Sequence, residues 1–349
     1  MSMRSLPTAL LMLASVVACA EPVHHREPLQ AMGREGFIEL YMGSEQRFEE
    51  AVAEAREAIG RVAAKLDARD PESALARLNR EASEAYHSIE DVDVYRAVQL
   101  ALEYAQASRG AFDPTVGPLG RLYESGEPSD AELAPALENV GWEWVAVARE
   151  AHAIRFRRPG VELDLGGLSK GYALHIAARV LAKSGSYAGL FVLGGNAYAW
   201  STPPDGEPWA VPLADPRAPE RTLLTLRIAN RGVAIAGQRL AGAETLFDPS
   251  TGRPVRGDVV LAIGTAHTAH DADAFATALA ASTFQAATDL IGRMRKVEAA
   301  LLVRDGAEFY LLASASLRGR LELGPAFDAE IGGDVRYLLP PAEFPEGPA

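Results

Sequence analysis

A single cysteine, Cys19, occurs in 349 residues. That scarcity excludes a disulfide within the chain and any metal cluster built on thiolates. Basic residues are also in deficit: 34 Lys and Arg stand against 47 Asp and Glu, a formal charge of −13 spread along the chain. A nucleic-acid partner needs a basic footprint to displace phosphate counterions, and none is visible. Long hydrophobic runs are missing past the N-terminus. The longest uncharged stretch, 184–204, is broken by glycines and ends in Pro203-Pro204, so it does not read as a membrane span. No internal repeat occurs. What remains is globular in composition, with 48% of residues apolar and 23% charged, too little charge for a disordered chain. The length suits two domains or one large one.

The N-terminus reads as an address. Arg4 precedes an uncharged stretch, 5–18, that is too short to span a bilayer and has the length of a signal-peptide core. It ends in Val16-Val17-Ala18-Cys19, with small residues ahead of the cysteine. This pattern is similar to the bacterial lipobox, where a peptidase cuts before the cysteine and the thiol receives a diacylglycerol. An ordinary signal peptide with a chance cysteine is the plainer alternative. The expectation is a lipoprotein signal peptide over 1–18, the lipidated Cys19 with a polar tether over 19–31, and one folded domain over 32–349. Such a chain would sit in the bacterial cell envelope on its periplasmic or extracytoplasmic face, joined to the membrane by its lipid.

Hydrophobic spacing predicts a helix over 49–65, where Val52, Ala55, Ile59, Val62 and Leu66 recur every three or four residues. A second is predicted over 92–109, with Ser88 and Asp91 spaced as a capping box and Gly110 as its stop. Ser129 and Glu132 repeat the capping signature before a short helix. Strands are predicted at 144–147, 154–156 and 162–165, then a helix at 169–182. Beyond it strands dominate, at 190–193, 209–213, 223–228, 233–236 and 259–264. Helices at 272–281 and 285–291 follow, and then a hairpin of 297–303 with 308–313 across Asp305-Gly306. Antiparallel-looking runs with helices set between them point to an α+β fold, largely antiparallel sheets with flanking helices.

Five segments hold residues suited to chemistry, and each has a plainer reading as a turn or cap. Residues 110–119, Gly-Ala-Phe-Asp-Pro-Thr-Val-Gly-Pro-Leu, place an acid among turn formers behind a helix end. Residues 164–172, Asp-Leu-Gly-Gly-Leu-Ser-Lys-Gly-Tyr, pass from a strand through a glycine pair into a helix, where free N–H groups favour an anion. Lys170 in that first turn opposes the helix dipole unless an anion is present. Leu193-Gly194-Gly195-Asn196 is a flexible turn, and 247–254, Phe-Asp-Pro-Ser-Thr-Gly-Arg-Pro, is a turn-rich loop. In Asp271-Ala272-Asp273-Ala274-Phe275-Ala276-Thr277, Asp273 and Thr277 lie four apart on one helical face. Carboxylate and hydroxyl are hard oxygen donors of the kind Mg²⁺ or Ca²⁺ takes, with phosphate or carbonyl oxygens completing the shell.

Taken in order and at these spacings, the five segments resemble the ApbE-like family of FAD:protein FMN transferases. Met32-Gly33 and the stretch 72–79, Glu-Ser-Ala-Leu-Ala-Arg-Leu-Asn, are similar to it as well, so the resemblance runs from about Met32 to Ala313. It implies that 32–349 form one flavin transferase domain of α+β fold. It further implies that FAD binds with Mg²⁺ and that its FMN half passes to a threonine or serine hydroxyl of a target protein, releasing AMP. Members are commonly bacterial lipoproteins, and their acceptors are typically membrane redox proteins. By motif match, Gly167 (through its carbonyl), Asp273 and Thr277 would bind the metal. Met32, Ala111, Phe112, Asp113, Asp164, Lys170 and Phe247 would line the FAD site.

Several positions depart from the family pattern. A histidine usually stands three residues before the Asp of the Asp-Pro loop, proposed to deprotonate the acceptor; Thr245 stands there and cannot serve as a base near neutral pH. The usual Ser-Gly reads Ala236-Gly237, a usual Thr reads Arg34, a frequent aromatic reads Arg69, and a common Asp reads His175. His175, His267 and His270 are candidates for a replacement base or, more plainly, structurally bonded histidines. Two alternatives therefore stand beside the transferase: a flavin-binding lipoprotein without transfer, and a hydrolase releasing FMN and AMP from FAD.

Overall fold

The computed structural model describes residues 22–82, 84–237, 246–294 and 296–338. Cys19 and Thr245 lie outside these residues. In chain order the elements begin with β1 (Val23–Ala31), β2 (Arg34–Met42), α1 (Glu45–Leu66), α2 (Ala74–Glu81), β3 (His87–Ser88) and α3 (Val92–Ser108). Next come α4 (Gly117–Glu124), α5 (Asp130–Leu137), β4 (Val145–Ala148), β5 (Ala153–Phe156), α6 (Gly166–Lys183), β6 (Ala188–Leu193) and β7 (Asn196–Trp200). Then follow β8 (Trp209–Asp215), β9 (Ala218–Ile228), β10 (Arg231–Gly237), β11 (Val259–Ala266), α7 (Ala269–Ala280) and α8 (Phe284–Arg293). The chain closes with β12 (Val297–Asp305), β13 (Glu308–Ser314), β14 (Leu321–Leu323), α9 (Pro325–Ile331) and β15 (Val335–Leu338).

The α+β expectation holds. A nine-stranded sheet runs β1-β2-β6-β7-β10-β11-β12-β13-β15, antiparallel at every pair except the parallel β13–β15. One face carries α1, α3, α6 and α7 over a core that includes Ile38, Phe191, Ala234 and Leu301. The other face is covered by the small sheet β14-β9-β8 and α9, over Leu190, Val233, Leu302 and Phe327. Burial on both faces explains why β11 and β12 read as near-continuous apolar runs instead of alternating ones.

Two helices set the geometry that matters below. α7 is rich in alanine, and Ala272, Ala274, Ala276, Ala278 and Ala280 are all fully buried, which lets its backbone press onto the sheet. Thr268 caps it by accepting the Asp271 N–H at 3.1 Å. A Cβ at Gly264 of β11 would stand 2.7 Å from Ala272 O, and one at Gly171 of α6 only 2.3 Å from Ala269 O. Gly171 lets α6 and α7 cross in contact, and Gly264 lets α7 rest on β11.

Four expectations are corrected. Residues 23–31, read as tether, form β1, paired with all of β2. The strand is polar because it is an edge: His24 stacks on Tyr41 and His25 on Phe48, and only Leu29 is buried. Its turn is Met32-Gly33, with φ of 51° and 67°, as a tight two-residue hairpin requires. Residues 162–165 belong to no strand, and α6 starts at Gly166 instead of 169, because contact with α7 outweighs the low helix propensity of the glycine pair. Asp91 alone caps α3, accepting the N–H groups of Asp93 and Val94, while Ser88 lies in β3. Among the described residues no helix is long and apolar enough to cross a membrane.

Candidate functional site

A cavity of about 670 Å³ opens between the start of α6, the middle of α7, the loop after α3, the β1–β2 turn, α4 and the segment at 246–249. Met32, Ala111, Phe112, Asp113, Asp164, Gly167, Lys170, Phe247, Asp273 and Thr277 all line it. The fold thus gathers into one place ten site residues that the sequence scatters over 246 positions, from Met32 to Thr277.

At its centre three oxygen-bearing groups approach one another. Thr277 Oγ1 donates to the Gly167 carbonyl at 3.2 Å, across the α6–α7 contact. Asp273, 2% exposed, accepts the Gly171 N–H on Oδ2 at 2.9 Å, while Oδ1 stands 4.0 Å from Lys170 Nζ. Lys170 also donates to the Gly166 carbonyl at 3.2 Å. Gly167 is sterically required, because a Cβ there would meet Phe112 Cε2 at 2.9 Å and Thr277 Cγ2 at 3.0 Å. A carbonyl, a carboxylate and a hydroxyl form a hard donor set. Among the described residues no three His, Cys, Asp or Glu side chains cluster to hold a metal by themselves. One carboxylate with neutral oxygens is the arrangement that suits Mg²⁺ when substrate phosphates complete its shell, so the residues fit that ion.

Of the other acids that line the cavity, Asp164 and Asp113 are already engaged. Asp164 Oδ1 accepts the Gly166 N–H at 2.7 Å and so fixes the first turn of α6. Asp113 accepts Thr115 N–H and Oγ1–H at 2.8 and 2.6 Å on Oδ1, and the Trp142 N–H at 2.9 Å on Oδ2. Burial raises its pKa above the ordinary carboxylate value, against the pull of these hydrogen bonds. Its role is to lock the 111–113 loop, which holds Phe112 against Tyr104.

The three histidine candidates do not line the cavity. His175 and His270 pack edge to face, 5.0 Å between centroids, beneath the α3–α6–α7 contact. Tyr104 Oη lies 2.6 Å from His270 Nδ1 and donates to Asp271 Oδ1 at 2.6 Å. Burial, opposed by Asp271, pushes His270 down to about 4, and burial with the nearby Arg179 also lowers His175. Both stay neutral at physiological pH; His270 is held by its hydrogen bonds to Tyr104 and Thr268, and His175 by ring packing against His270 and Tyr198.

Sequence reading did not single out Tyr123, Glu124 or Asp215 as site residues, and it left Arg34, Arg69 and Asn196 without a role; all six line the cavity. Asp215 is fully buried at the β8–β9 turn and bonded by Arg217 at 2.8 and 2.7 Å and by Arg221 at 2.6 Å. Burial works to raise its pKa, but the two guanidinium groups carry it down to about 2. The close spacing of Asp215, Arg217 and Arg221 was the available signal. Asn196, behind the Gly194-Gly195 turn, is 1% exposed, and neither atom of its amide has a partner among the described residues.

Comparison with known proteins agrees with this geometry. The ApbE family model matches residues 32–301. Among curated relatives, the FAD:protein FMN transferase of Treponema pallidum is 27% identical over 266 residues, covering 69% of this chain and 73% of its own. That of Klebsiella pneumoniae is 27% identical over 296 residues, covering 77% and 83%. Among solved structures, the flavin transferase ApbE from Vibrio cholerae superposes with a TM-score of 0.74 at 21% identity, over 85% of this chain and 99% of that one. The ApbE protein of Thermotoga maritima gives 0.72 at 24% identity, over 88% and 99%. These likenesses establish a common fold.

Proposed function

The chain belongs to the ApbE family, and from that membership we propose that it is an FAD:protein FMN transferase, moving the FMN half of FAD onto a threonine or serine hydroxyl of a target protein. The observation that carries this reading is the meeting of the Gly167 carbonyl, Asp273 and Thr277 in one cavity with Lys170, Asp164, Phe112 and Phe247. In the reaction the acceptor oxygen bonds to the FMN phosphorus, the bond from that phosphorus to the bridging oxygen breaks, AMP leaves, and the hydroxyl proton passes to solvent.

Mg²⁺ held by Gly167, Asp273 and Thr277 would neutralise the diphosphate and the charge developing on the leaving phosphate. Lys170 adds a positive charge beside the diphosphate, at the positive end of the α6 dipole, whose first turn Asp164 fixes. Met32, Ala111, Phe112 and Phe247 supply apolar surface that shapes the pocket and excludes water, and Asp113 keeps the 111–113 loop in place. The acceptor is proposed to be a membrane redox protein and the chain to be anchored in the cell envelope through a lipid on Cys19; the support for the anchor is the sequence at positions 16–19.

Among the described residues no histidine lines the cavity. That observation favours a second reading, a flavin-binding protein that has lost transfer. One assay separates the readings: the soluble chain is mixed with FAD, Mg²⁺ and a threonine-bearing acceptor, and AMP and covalently bound flavin are measured. AMP with flavin on the acceptor is the expected result. AMP without labelled acceptor indicates hydrolysis, FAD binding without AMP indicates the binder, and no FAD binding overturns every flavin reading.

A further inference from the structure

The small sheet has the order β14-β9-β8, so among the described residues β8 is paired on one side only. The hydrogen-bond alternation of its neighbour fixes what the open side offers. Arg227 N donates to the Arg320 carbonyl at 2.8 Å, and Gly324 N to the Leu223 carbonyl at 2.8 Å, so odd-numbered residues of β9 turn their main chain toward β14. Leu224, Leu226 and Ile228 therefore turn theirs toward β8, where they stand opposite Leu213, Val211 and Trp209. The residues between, Ala210 and Pro212, point their main chain out of the sheet. Pro212 agrees with this phase, because a residue without an N–H is tolerated where no ladder bond is owed. The open edge thus presents the Ala210 N–H and the carbonyls of Ala210 and Pro212. Both residues are exposed, and neither has a main-chain partner beyond the sheet among the described residues. Proteins ordinarily blunt such edges with charge, proline or a covering element. Here β8 carries no charged side chain before Asp215, and Pro212 alone blunts it, at the loss of a single donor.

Two observations tie this edge to the reaction. Pro212, Leu213 and Ala214 line the cavity, so a strand laid along β8 runs into it. On the large sheet beneath, Val192 and Ile235 pack against the cluster that holds Val211 and Leu213 yet remain half-buried, and Ile235 also lines the cavity.

We propose that the acceptor protein docks by adding an extended segment to the open edge of β8, bonded through its main chain to Ala210 and Pro212, and that this strand leads the threonine or serine hydroxyl into the cavity. This rests on the transferase reading above. The occupant is a segment of the acceptor because the reaction needs a hydroxyl carried on a polypeptide, and the edge runs to the place where that hydroxyl reacts. Main-chain pairing supplies affinity whatever the side chains, and the alternate side chains that face the large sheet supply the preference. Those side chains rest on Val192 and Ile235, so apolar residues at alternate positions are favoured.

The test gives the soluble chain FAD, Mg²⁺ and short peptides with a central threonine and the other positions randomised, and reads covalent flavin on the peptide. The best substrate is remade with single N-methyl groups along its backbone. A docked strand turns only alternate residues toward its neighbour, so N-methylation should raise KM at every second position and be tolerated at those between. N-acetylthreonine methylamide carries the hydroxyl but is too short to pair as a strand, and it should be labelled far more slowly. Ala210→Pro removes the edge N–H and leaves the ladder to β9 untouched. It should raise KM for the peptide roughly fivefold, with kcat, FAD affinity and melting temperature as in wild type. The N-methyl series reads the pairing in wild type itself, so it decides even where Ala210→Pro folds poorly. Equal tolerance of N-methyl groups at all positions overturns the docking and leaves the transferase reading intact. So does a wild type that binds FAD and labels no peptide. A wild-type dimer that Ala210→Pro dissociates would put a second copy on the edge and overturn the docking as well. No FAD binding by wild type would overturn both readings.

Discussion

Asp273→Asn isolates charge from shape at the centre of the site. The two side chains are isosteric, so the oxygen that accepts the Gly171 N–H at 2.9 Å can be retained. What disappears is a negative charge 4.0 Å from Lys170 Nζ, on a side chain only 3% exposed. At an effective dielectric of about 20, such a pair attracts by about 4 kcal/mol. Relief of the several kcal/mol spent on desolvating a buried carboxylate offsets most of this, and Lys170, 27% exposed, can turn to water. The net change in folding stability should be about 1 kcal/mol, a shift of roughly 2–4 °C in melting temperature. The chemical change is far larger, because Asp273 is the one carboxylate in the donor set. Removing even an outer-shell partner of a metal ligand costs about 10–100-fold in affinity or activity, so with Asp273 as the proposed ligand its loss should cost at least about 100-fold. The assay is AMP release against Mg²⁺ concentration, with a thermal melt on the same sample. Asp273→Ala serves as the contrast: it also strands the buried Gly171 N–H, at a further cost of about 1–3 kcal/mol. The reasoning is refuted by an Asp273→Asn protein with the Mg²⁺ dependence of wild type, or by activity in both variants that falls only as far as their melting temperatures do.

Three other outcomes follow from the packing. His270 titrates near 4 in the fold against 6.5 in the open chain, so the unfolded state binds the proton first; stability should be full above about pH 6.5 and fall by roughly 3 kcal/mol as pH drops to 4. His270→Gln should flatten that part of the melting-temperature profile, and an unchanged slope would place the effect elsewhere. Gly171→Ala puts a methyl 2.3 Å from Ala269 O, which should force α6 and α7 apart, cost about 1–3 kcal/mol and lower FAD binding with it; a melt and a binding curve like those of wild type would refute the contact. Asn196→Leu should leave the melting temperature unchanged or raise it, since no amide hydrogen bond is lost and an unpaired buried amide costs about 1–3 kcal/mol; a large drop would show that the amide is bonded after all.

The residues that line the cavity were legible in the sequence, and so was most of the frame. Gly167, Asp273 and Thr277 stand out in a sequence because glycine at a strand–helix junction and two oxygen donors at helical spacing are local patterns. That they converge is a property of α6 crossing α7, which no local pattern contains. β1 was hidden for the opposite reason: an edge strand needs little apolar surface, and His24, His25 and Arg26 satisfy themselves by stacking on Tyr41, Phe48 and Phe37. α6 was started three residues late because glycine weakens a helix on its own, whereas here Gly166 and Gly167 are held from outside by Asp164 and α7. Tyr123 is on a short helix with no local signal of a site, and only the fold brings it onto the cavity wall against Phe247.

β1 also measures distance. Its first residue is four positions from Cys19, and its last, Ala31, adjoins Met32 on the cavity wall. Nine strand residues reach about 30 Å, and four extended residues add at most about 14 Å. With the lipid on Cys19 proposed above, β1 becomes a ruler that limits how far above the bilayer the chemistry can occur. An acceptor hydroxyl must then come within about 45 Å of the membrane surface, which selects targets by height as well as by sequence.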